Sequence, residues 1–192
     1  MIVTDQAQLI LRLKQREPDA LTEVFEAHSD KIYRLAVGIL QDDQQADGVV
    51  QDTFIKLIEA IDGFEGRASI STWLYRVAYN ECKGRQRRAK PSVSVDDMLE
   101  DDFMPDNFVS WQDVPDTILN NEEAMGEMAQ AIDSLPEALA TVFRLRDIEG
   151  FSTAETAKIL NISESATKVR LHRARLMLRE KLAAYFQEWT RT

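Results

Sequence analysis

The stretch that decides the fold of the C-terminal half is GFSTAETAKILNISESATKVRLHRARLMLREKL, residues 150–182. Its apolar residues recur at the three- and four-residue intervals of two helices, with a tight turn between them. Asn161 stands in that turn, where a left-handed backbone is needed and Asn tolerates one better than most residues. Ser163 follows, and its side-chain oxygen can cap the second helix by accepting a backbone N–H. This order of elements predicts a helix-turn-helix.

The second of these helices is predicted to be buried along one face and cationic on the others. The buried stripe is predicted at Leu171, Ala174, Leu178, Leu182 and Tyr185. The cations of the other faces are Lys168, Arg170, Arg173, Arg175 and Arg179. A helix anchored on one side and cationic on another suits the major groove of DNA and its flanking phosphates. The alternative is an ordinary helical hairpin with a solvated basic face.

Charge is distributed unevenly along the chain, whose formal net charge is −10. Residues 63–90 hold seven Lys and Arg against two Asp and Glu, and residues 144–192 hold ten against six. Between them, residues 91–143 hold thirteen acids and no Lys or Arg. Because local fields govern where a polyanion docks, the two basic segments predict two separate nucleic-acid surfaces.

The N-terminal half is predicted to be entirely helical. Apolar positions at helical spacing indicate four helices before residue 90, with Phe25 and Ile58 among the predicted core residues. Residues 62–69, a loop with two glycines, separate the third helix from the fourth. The sequence shows no strand pattern and no internal repeat.

The predicted fold class is all-α, with two small helical domains. Residues 1–91 form the first domain and residues 117–192 the second, which contains the helix-turn-helix. Between them, residues 92–116 lose helical periodicity and gain prolines and acids, which predicts a flexible acidic linker.

The composition argues against an enzyme and against a membrane protein. The chain has one cysteine, Cys82, and two histidines, His28 and His172, so it has neither an intramolecular disulfide nor a zinc cluster. Neither a phosphate-binding loop nor a nucleophile constellation is present, so we predict no catalytic residue, no metal and no cofactor. No apolar run approaches the ~20 residues that span a bilayer, and the N-terminus lacks a signal-peptide pattern. We therefore expect a cytoplasmic protein without membrane insertion.

Three stretches of the chain resemble a known family. They are VVQDTFIKL at 49–57 with FEGRASISTWLYRVAYN at 64–80, SLPEALATVFRLRDIEGFSTAETAKIL at 134–160, and KVRLHRARLMLRE at 168–180. In this order they resemble an extracytoplasmic-function (ECF) sigma factor, the small two-domain type of bacterial RNA polymerase sigma subunit. The resemblance implies a protein that directs core polymerase to specific promoters by −35 binding and −10 melting, with the two predicted domains as regions 2 and 4.

The resemblance implies that the loop Phe64–Ser69 binds an extruded −10 base of the non-template strand. Stacking and phosphate contact are the physical means of holding such a base. The predicted −10 contacts are Phe64, Arg67, Ser69, Arg76, Asn80, Lys83, Arg87 and Arg88. For Trp73, whose neighbours Leu74 and Val77 are apolar, core packing is favoured over base stacking.

The resemblance also places the −35 and polymerase contacts. The predicted −35 contacts are Lys168, Arg170, His172, Arg173 and Arg175, although a neutral surface role is equally open for His172. The predicted contacts with the β′ clamp helices of core polymerase are Asp47, Val50, Gln51 and Phe54. The β flap and an anti-sigma factor are further implied partners.

The chain departs from the family pattern in two places. Residues 45–48 contain one acid where an acidic cluster is usual, and Gly48 costs ~1 kcal/mol of helix propensity relative to alanine. Either the clamp contact is weaker, or Asp42, Asp43 and Asp52 supply the charge instead. In the recognition helix, Thr167 and Val169 replace an aliphatic and a small polar residue.

The linker length bears on how the two domains reach a promoter. The 26 residues from Pro91 to Asp116 span roughly 28 Å as a flexible coil and ~85 Å fully extended. Promoter elements about two helical turns apart are separated by ~70 Å. The hypothesis is that polymerase holds the linker extended, with its acids in a positively charged channel. The alternative is that the acids only keep the linker soluble.

The competing function is a stand-alone helix-turn-helix repressor or activator. Such a regulator binds duplex operator DNA alone, whereas a sigma factor needs core polymerase.

Overall fold

The structure is a computed structural model that describes residues 6–89 and 122–189, with side-chain environments for residues 6–89 and 126–182. Every regular element in these ranges is helical, which confirms the all-α fold class. The chain divides into two compact units, and residues 154–161 group with the helices of the first ninety residues. The predicted linker, 92–116, and with it both domain boundaries, lies outside the described residues.

Within residues 6–89, the first unit contains four α-helices and one short turn. The helices are α1 (Gln6–Lys14), α2 (Pro18–Leu40), α3 (Asp43–Ala60) and α4 (Ile70–Ala89), and the 3-10 turn is Ile61–Gly63. Pro18 begins α2 as predicted, because the first turn of a helix does not use the N–H that proline lacks. Helices α2 and α3 pack against each other, and α4 packs against both.

The junction between α2 and α3 is fixed by two residues. Gln41 adopts the left-handed conformation (φ 53°) and donates its N–H to the carbonyl of Val37 at 2.8 Å. Asp42 then accepts the backbone N–H of Gln45 at 2.9 Å and its side-chain amide at 3.0 Å, which caps α3. The chain therefore reverses direction within two residues.

Apolar side chains from α2, α3 and α4 form the core of this unit. Its largest fully buried members are Val24, Ile32, Val49, Leu57, Leu74 and Tyr75. Burying a side chain such as leucine stabilises the fold by ~1.5–3 kcal/mol. The core prediction was wrong for Phe25 and Ile58, which are 46% and 42% exposed. Both lie at the edge of an apolar stripe. The periodicity of a sequence predicts which side of a helix is buried, but it does not predict how wide the buried stripe is.

The C-terminal part of the described chain contains the remaining helices, of which all but the helix Thr153–Leu160 belong to the second unit. The elements of the C-terminal part are α5 (Glu122–Asp133), α6 (Glu137–Phe143), a π-helical turn (Arg144–Ile148), α7 (Thr153–Leu160) and α8 (Glu164–Trp189). Helix α8 packs against α6 and α5. Its predicted stripe is confirmed at Leu171, Ala174, Leu178 and Leu182, which are at most 8% exposed. The side chain of Tyr185 lies outside the described residues.

The turn between α7 and α8 has the predicted geometry. Asn161 takes a left-handed φ of 56°, and Ser163 Oγ accepts the N–H of Ala166 at 3.0 Å. The left-handed residue and the helix cap together confirm the helix-turn-helix connection.

None of the helices within residues 6–89 and 122–189 combines the length and apolarity needed to cross a membrane. In the same ranges, His, Cys, Asp and Glu side chains do not gather in threes that could hold a metal ion.

Candidate nucleic-acid interface

The loop between α3 and α4, residues 64–69, carries the first predicted DNA contacts. Gly66 adopts a φ of 71°, which residues with a Cβ rarely take. The side chain of Arg67 is 83% exposed and pairs with Glu65, with Nε and Oε2 2.6 Å apart. Because an ion pair this exposed is weak, Arg67 can exchange Glu65 for a phosphate.

Phe64 and Ser69, at the two ends of the loop, are tied to α4. The half-buried ring of Phe64 meets Trp73 edge-on, with centroids 6.2 Å apart and planes at 87°. Ser69 Oγ accepts the N–H of Thr72 at 3.0 Å and shares a second hydrogen bond with the Thr72 hydroxyl at 2.8 Å. Ser69 therefore caps α4, and any contact with a base must coexist with that role.

The outer face of α4 carries the remaining predicted −10 contacts. They are Arg76, Asn80, Lys83, Arg87 and Arg88, all exposed or half-exposed. Spacings of three and four residues place the first four on one side of the helix, while Leu74, Ala78 and Cys82 are buried on the other. Helix α4 therefore presents a polar, mainly cationic strip that begins beside the loop.

Arg85 is a cation of α4 that sequence reasoning did not single out. Its guanidinium lies across α3, with Nη2 2.6 Å from Asp52 Oδ2. An ideal Cβ on Gly48 would lie 2.8 Å from Arg85 Nη1, so Gly48 leaves the space that the guanidinium occupies. A glycine inside an otherwise good helix is the signal that could have suggested this close approach.

The acids near the start of α3 already have local partners. Hydrogen bonds from the backbone and then the side chain of Gln45 hold the pKa of Asp42 below its ordinary value. Asp43 accepts the hydroxyl of Tyr33 at 3.0 Å, which raises the pKa of Tyr33. Asp52 pairs with Arg85. All three acids therefore have partners within the first unit.

The predicted polymerase contacts on α3 differ in accessibility. Asp47 and Gln51 are exposed and Val50 is half-buried. Phe54 is only 6% exposed and packs against Phe25, with ring centroids 4.8 Å apart. Phe54 therefore supports the α2–α3 pair from inside and does not form part of an accessible surface.

Two exposed apolar residues of α3 complete its outer surface. Ile55 and Ile58 are 53% and 42% exposed and lie one turn apart. Ile55 was recognisable from the sequence as an apolar residue outside the core stripe. Exposed isoleucines on a helix are candidates for contact with another protein.

The start of α8 separates anchoring residues from cations. Thr167, Val169 and Leu171 are at most 8% exposed, and Thr167 donates its hydroxyl to the carbonyl of Ser163 at 3.0 Å. Both departures from the family pattern are therefore core residues. The predicted contacts Lys168, Arg170, His172 and Arg173 are exposed or half-exposed.

Arg175 is held within the protein. Its Nε and Nη2 donate to the two carboxylate oxygens of Asp147 at 2.8 and 2.7 Å, and the two side chains are 24% and 15% exposed. The π-helical turn carries Asp147, which sequence reasoning did not identify as a partner. A two-bond ion pair that is mostly buried makes Arg175 a structural link rather than an accessible cation.

Comparison with protein families identifies both parts of the chain. The family described as Sigma-70 region 2 matches residues 24–91, and the one described as Sigma-70, region 4 matches residues 125–178. The ECF RNA polymerase sigma factor SigW of Bacillus subtilis (strain 168) is 32% identical over 90% of this chain and 94% of its own. The ECF RNA polymerase sigma-E factor of Escherichia coli (strain K12) is 30% identical over 94% and 95%.

Two solved structures share the fold. The structure of CnrH in complex with the cytosolic domain of CnrY has a TM-score of 0.62 at 22% identity, over 94% of this chain and 97% of that chain. The sigma factor RpoE from Bartonella quintana, solved with the anti-sigma factor NepR, has a TM-score of 0.61 at 21% identity, over 84% and 96%.

Regions 2 and 4 in this order define a protein of the sigma-70 class. Within that class the chain belongs to the ECF sigma factors, the non-catalytic subunits with which RNA polymerase initiates transcription.

Proposed function

We propose that the start of α8 reads the −35 promoter element in the major groove. The residues of this −35 surface are Lys168, Arg170, His172 and Arg173. The proposal is supported by the burial pattern of these turns. The four side chains are exposed or half-exposed, whereas those of Thr167, Val169 and Leu171 are buried in the core. An arginine that bonds a guanine bidentately discriminates by ~1–3 kcal/mol. Arg175 is left out of this surface because Asp147 holds it.

The loop and the outer face of α4 capture the melted −10 strand. Phe64 and Arg67 supply the ring and the exposed cation that an unpaired base and its phosphate need, and Ser69 shapes the loop as the cap of α4. Arg76, Asn80, Lys83, Arg87 and Arg88 continue the strand contact along α4. This −10 surface is supported by the +5 charge of residues 63–90.

The outer side of α3 binds the β′ clamp helices of core polymerase. Asp47, Val50 and Gln51 form this polymerase surface, and Ile55 and Ile58 add exposed apolar area to it. The C-terminal domain, 117–192, contacts the β flap. The hypothesis that core polymerase holds the linker, 92–116, extended between the two domains belongs to the same proposal.

A cytoplasmic location and an anti-sigma factor complete the proposed setting. CnrH and RpoE were each solved with a bound protein, CnrY and NepR. We propose that this chain, too, has an anti-sigma factor that binds it and prevents it from binding core polymerase.

Transcription from a promoter library tests this function. Core polymerase would be supplied with templates whose −35 and −10 positions are randomised, with and without this chain, and the transcripts sequenced. We expect a chain-dependent set of start sites that share two motifs about two helical turns apart. The absence of such a set would overturn the proposal. Tight binding of the chain alone to duplex DNA would favour a stand-alone repressor or activator instead.

A further inference from the structure

Helix α1 runs alongside the loop that we propose captures the −10 base. Gln6 Nε2 donates to the carbonyl of Ala68 at 3.3 Å. Ile10 Cδ1 is 3.7 Å from the ideal Cβ position of Gly66. At the other end, Arg16 Nη2 donates to Asp62 Oδ2 at 2.7 Å. The segment from 62 to 68 therefore lies antiparallel to α1, with hydrogen bonds to α1 at both ends and the Ile10 side chain beside its middle.

Arg16 occupies a position where glycine is usual. Its φ is 60°, its N–H bonds to the carbonyl of Leu13, and the N–H of Glu17 bonds to the carbonyl of Arg12. These bonds form the Schellman end of a helix, whose left-handed residue is most often glycine because a Cβ strains that conformation. The arginine side chain gives a reason to keep a strained residue there, since it reaches both Asp62 and the carbonyl of Ile58.

Helix α1 is itself fixed to the body of the first unit. Arg12 donates to Glu23 on α2 at 2.8 Å and to Glu17 at 3.0 Å. Leu13 is buried, at 5% exposure. Because α1 is held against α2, a contact between α1 and the loop fixes the position of the loop relative to α2.

We propose that α1 is a positioning element for base capture, and that Gln6, Ile10 and Arg16 are its positioning residues. The family match for region 2 begins at residue 24, so α1 lies outside it. The inference rests on the proposed −10 function of the loop. The side chains of Arg16 and Asp62 are 47% and 65% exposed, so the pair adds little to global stability. Its effect is expected in the loop.

The main test compares Arg16→Gly with Gln41→Gly in reconstituted holoenzyme. Both positions are left-handed, so glycine relieves similar backbone strain in each. Among the residues that the structure describes, the Gln41 side chain bonds only to the carbonyl of Gly38 in α2, which makes it the matched control. Promoter opening, the separation of the DNA strands at the −10 element, would be followed by fluorescence. The probe is 2-aminopurine, placed in the non-template −10 strand of a promoter selected from the library.

We expect Arg16→Gly to slow opening roughly 2- to 10-fold, the scale of one lost hydrogen bond. Its melting temperature should be unchanged or higher, and co-elution with core polymerase should be unchanged. Asp62→Ala, which removes the acceptor, should slow promoter opening similarly and add little to the effect of Arg16→Gly. Holoenzyme that carries Gln41→Gly should open the promoter at the wild-type rate. Normal opening by Arg16→Gly, or equal slowing by both glycine variants, would overturn the proposal.

Loop variants separate this proposal from the function on which it rests. If Phe64→Ala and Arg67→Ala slow opening while Arg16→Gly does not, the loop captures the base and α1 does not position it. If neither loop variant affects opening, the −10 function of the loop is wrong and the role of α1 is wrong with it.

Discussion

Gly48 leaves room for the guanidinium of Arg85 to lie across α3 and reach Asp52. The contact joins the helix of the proposed polymerase surface to the helix of the proposed −10 surface. At the level of single residues, the helix-propensity cost of Gly48 is thus offset by an interhelical hydrogen bond.

The effect of Gly48→Ala should depend on Arg85. Alanine normally gains ~1 kcal/mol over glycine inside a helix. In the wild-type background the new Cβ displaces the guanidinium and weakens its bond to Asp52, so we expect most of this gain to be lost. In an Arg85→Ala background the full ~1 kcal/mol should appear. Urea denaturation measures both free energies of unfolding.

Gly84→Ala in α4 is the control, because no neighbouring side chain within the described ranges lies within 4 Å of its ideal Cβ position. It should stabilise the protein to the same extent in both backgrounds. A gain from Gly48→Ala that is independent of Arg85 would contradict the interpretation.

Asp42 should contribute a pH-dependent part of the stability. Hydrogen bonds from Gln45 lower its pKa in the folded state below the ordinary value of 3.8. The unfolded state then binds more protons between the two values, so stability rises with pH there. The contribution is complete at neutral pH, declines as the pH falls below about 3.8, and is lost below the folded pKa.

Asp42→Asn keeps a good capping residue that does not titrate. We expect it to remain close to wild type near pH 7 in thermal unfolding and to lose less stability than wild type on acidification. Identical acid profiles for the two proteins would show that the cap does not depend on the charge of Asp42.

At the scale of elements, α8 combines two kinds of arginine. Arg170 belongs to the −35 surface, whereas Arg175 links α8 to the π-helical turn through Asp147. Periodicity predicted the helix and its buried stripe. It did not distinguish these arginines, because the partner of Arg175 comes from a π-helical turn that has no sequence pattern of its own.

The two arginines should respond differently to replacement by alanine. If Arg170 contacts a phosphate, Arg170→Ala should lower the magnitude of the slope of log affinity against log salt for the −35 duplex by about 0.9, the value for one phosphate contact. If Arg170 contacts a base, Arg170→Ala should reduce the preference for that base at one position of the −35 element. Arg175→Ala should cost ~1–3 kcal/mol of stability, because Asp147 loses its partner, and leave the slope unchanged. Filter binding of holoenzyme across a salt series, with thermal unfolding alongside, measures both.

Lys168→Ala provides a second exposed cation for comparison, and Asp147→Asn tests the link from its other side. Loss of salt dependence in Arg175→Ala without loss of stability would show that Arg175 contacts DNA.

Across the helices, the sequence predicted what depends on local patterns and missed what depends on neighbours. The roles of Asn161 in the turn and of Ser163 in the helix cap depend on the type of a single residue, and both were predicted correctly. Arg85, Asp147 and the contacts of α1 with the loop depend on residues 28 to 62 positions away. Helical spacing gives no information on such distant partners.

At the scale of the whole molecule, the two proposed DNA surfaces must reach elements about two turns apart. The 26 residues from Pro91 to Asp116 are long enough only when extended. Deleting twelve of them leaves about 14 residues, with a maximum reach of ~50 Å against ~70 Å required.

We therefore expect the deletion to reduce initiation at promoters that need both elements, measured as transcript yield. Replacing the same twelve residues by Gly and Ser keeps the reach and removes acids. A linker scrambled at constant composition keeps both reach and charge. Equal transcript yields from the deletion and the wild type would contradict simultaneous engagement of both elements.

The left-handed Arg16 also has an evolutionary consequence. A lineage that loses the carboxylate at position 62 removes a reason for arginine at position 16, and glycine then becomes the favourable residue there. Substitutions at the two positions should therefore occur together among relatives that retain α1. Drift at one position would relax selection on the other, although 46 residues separate them in the chain.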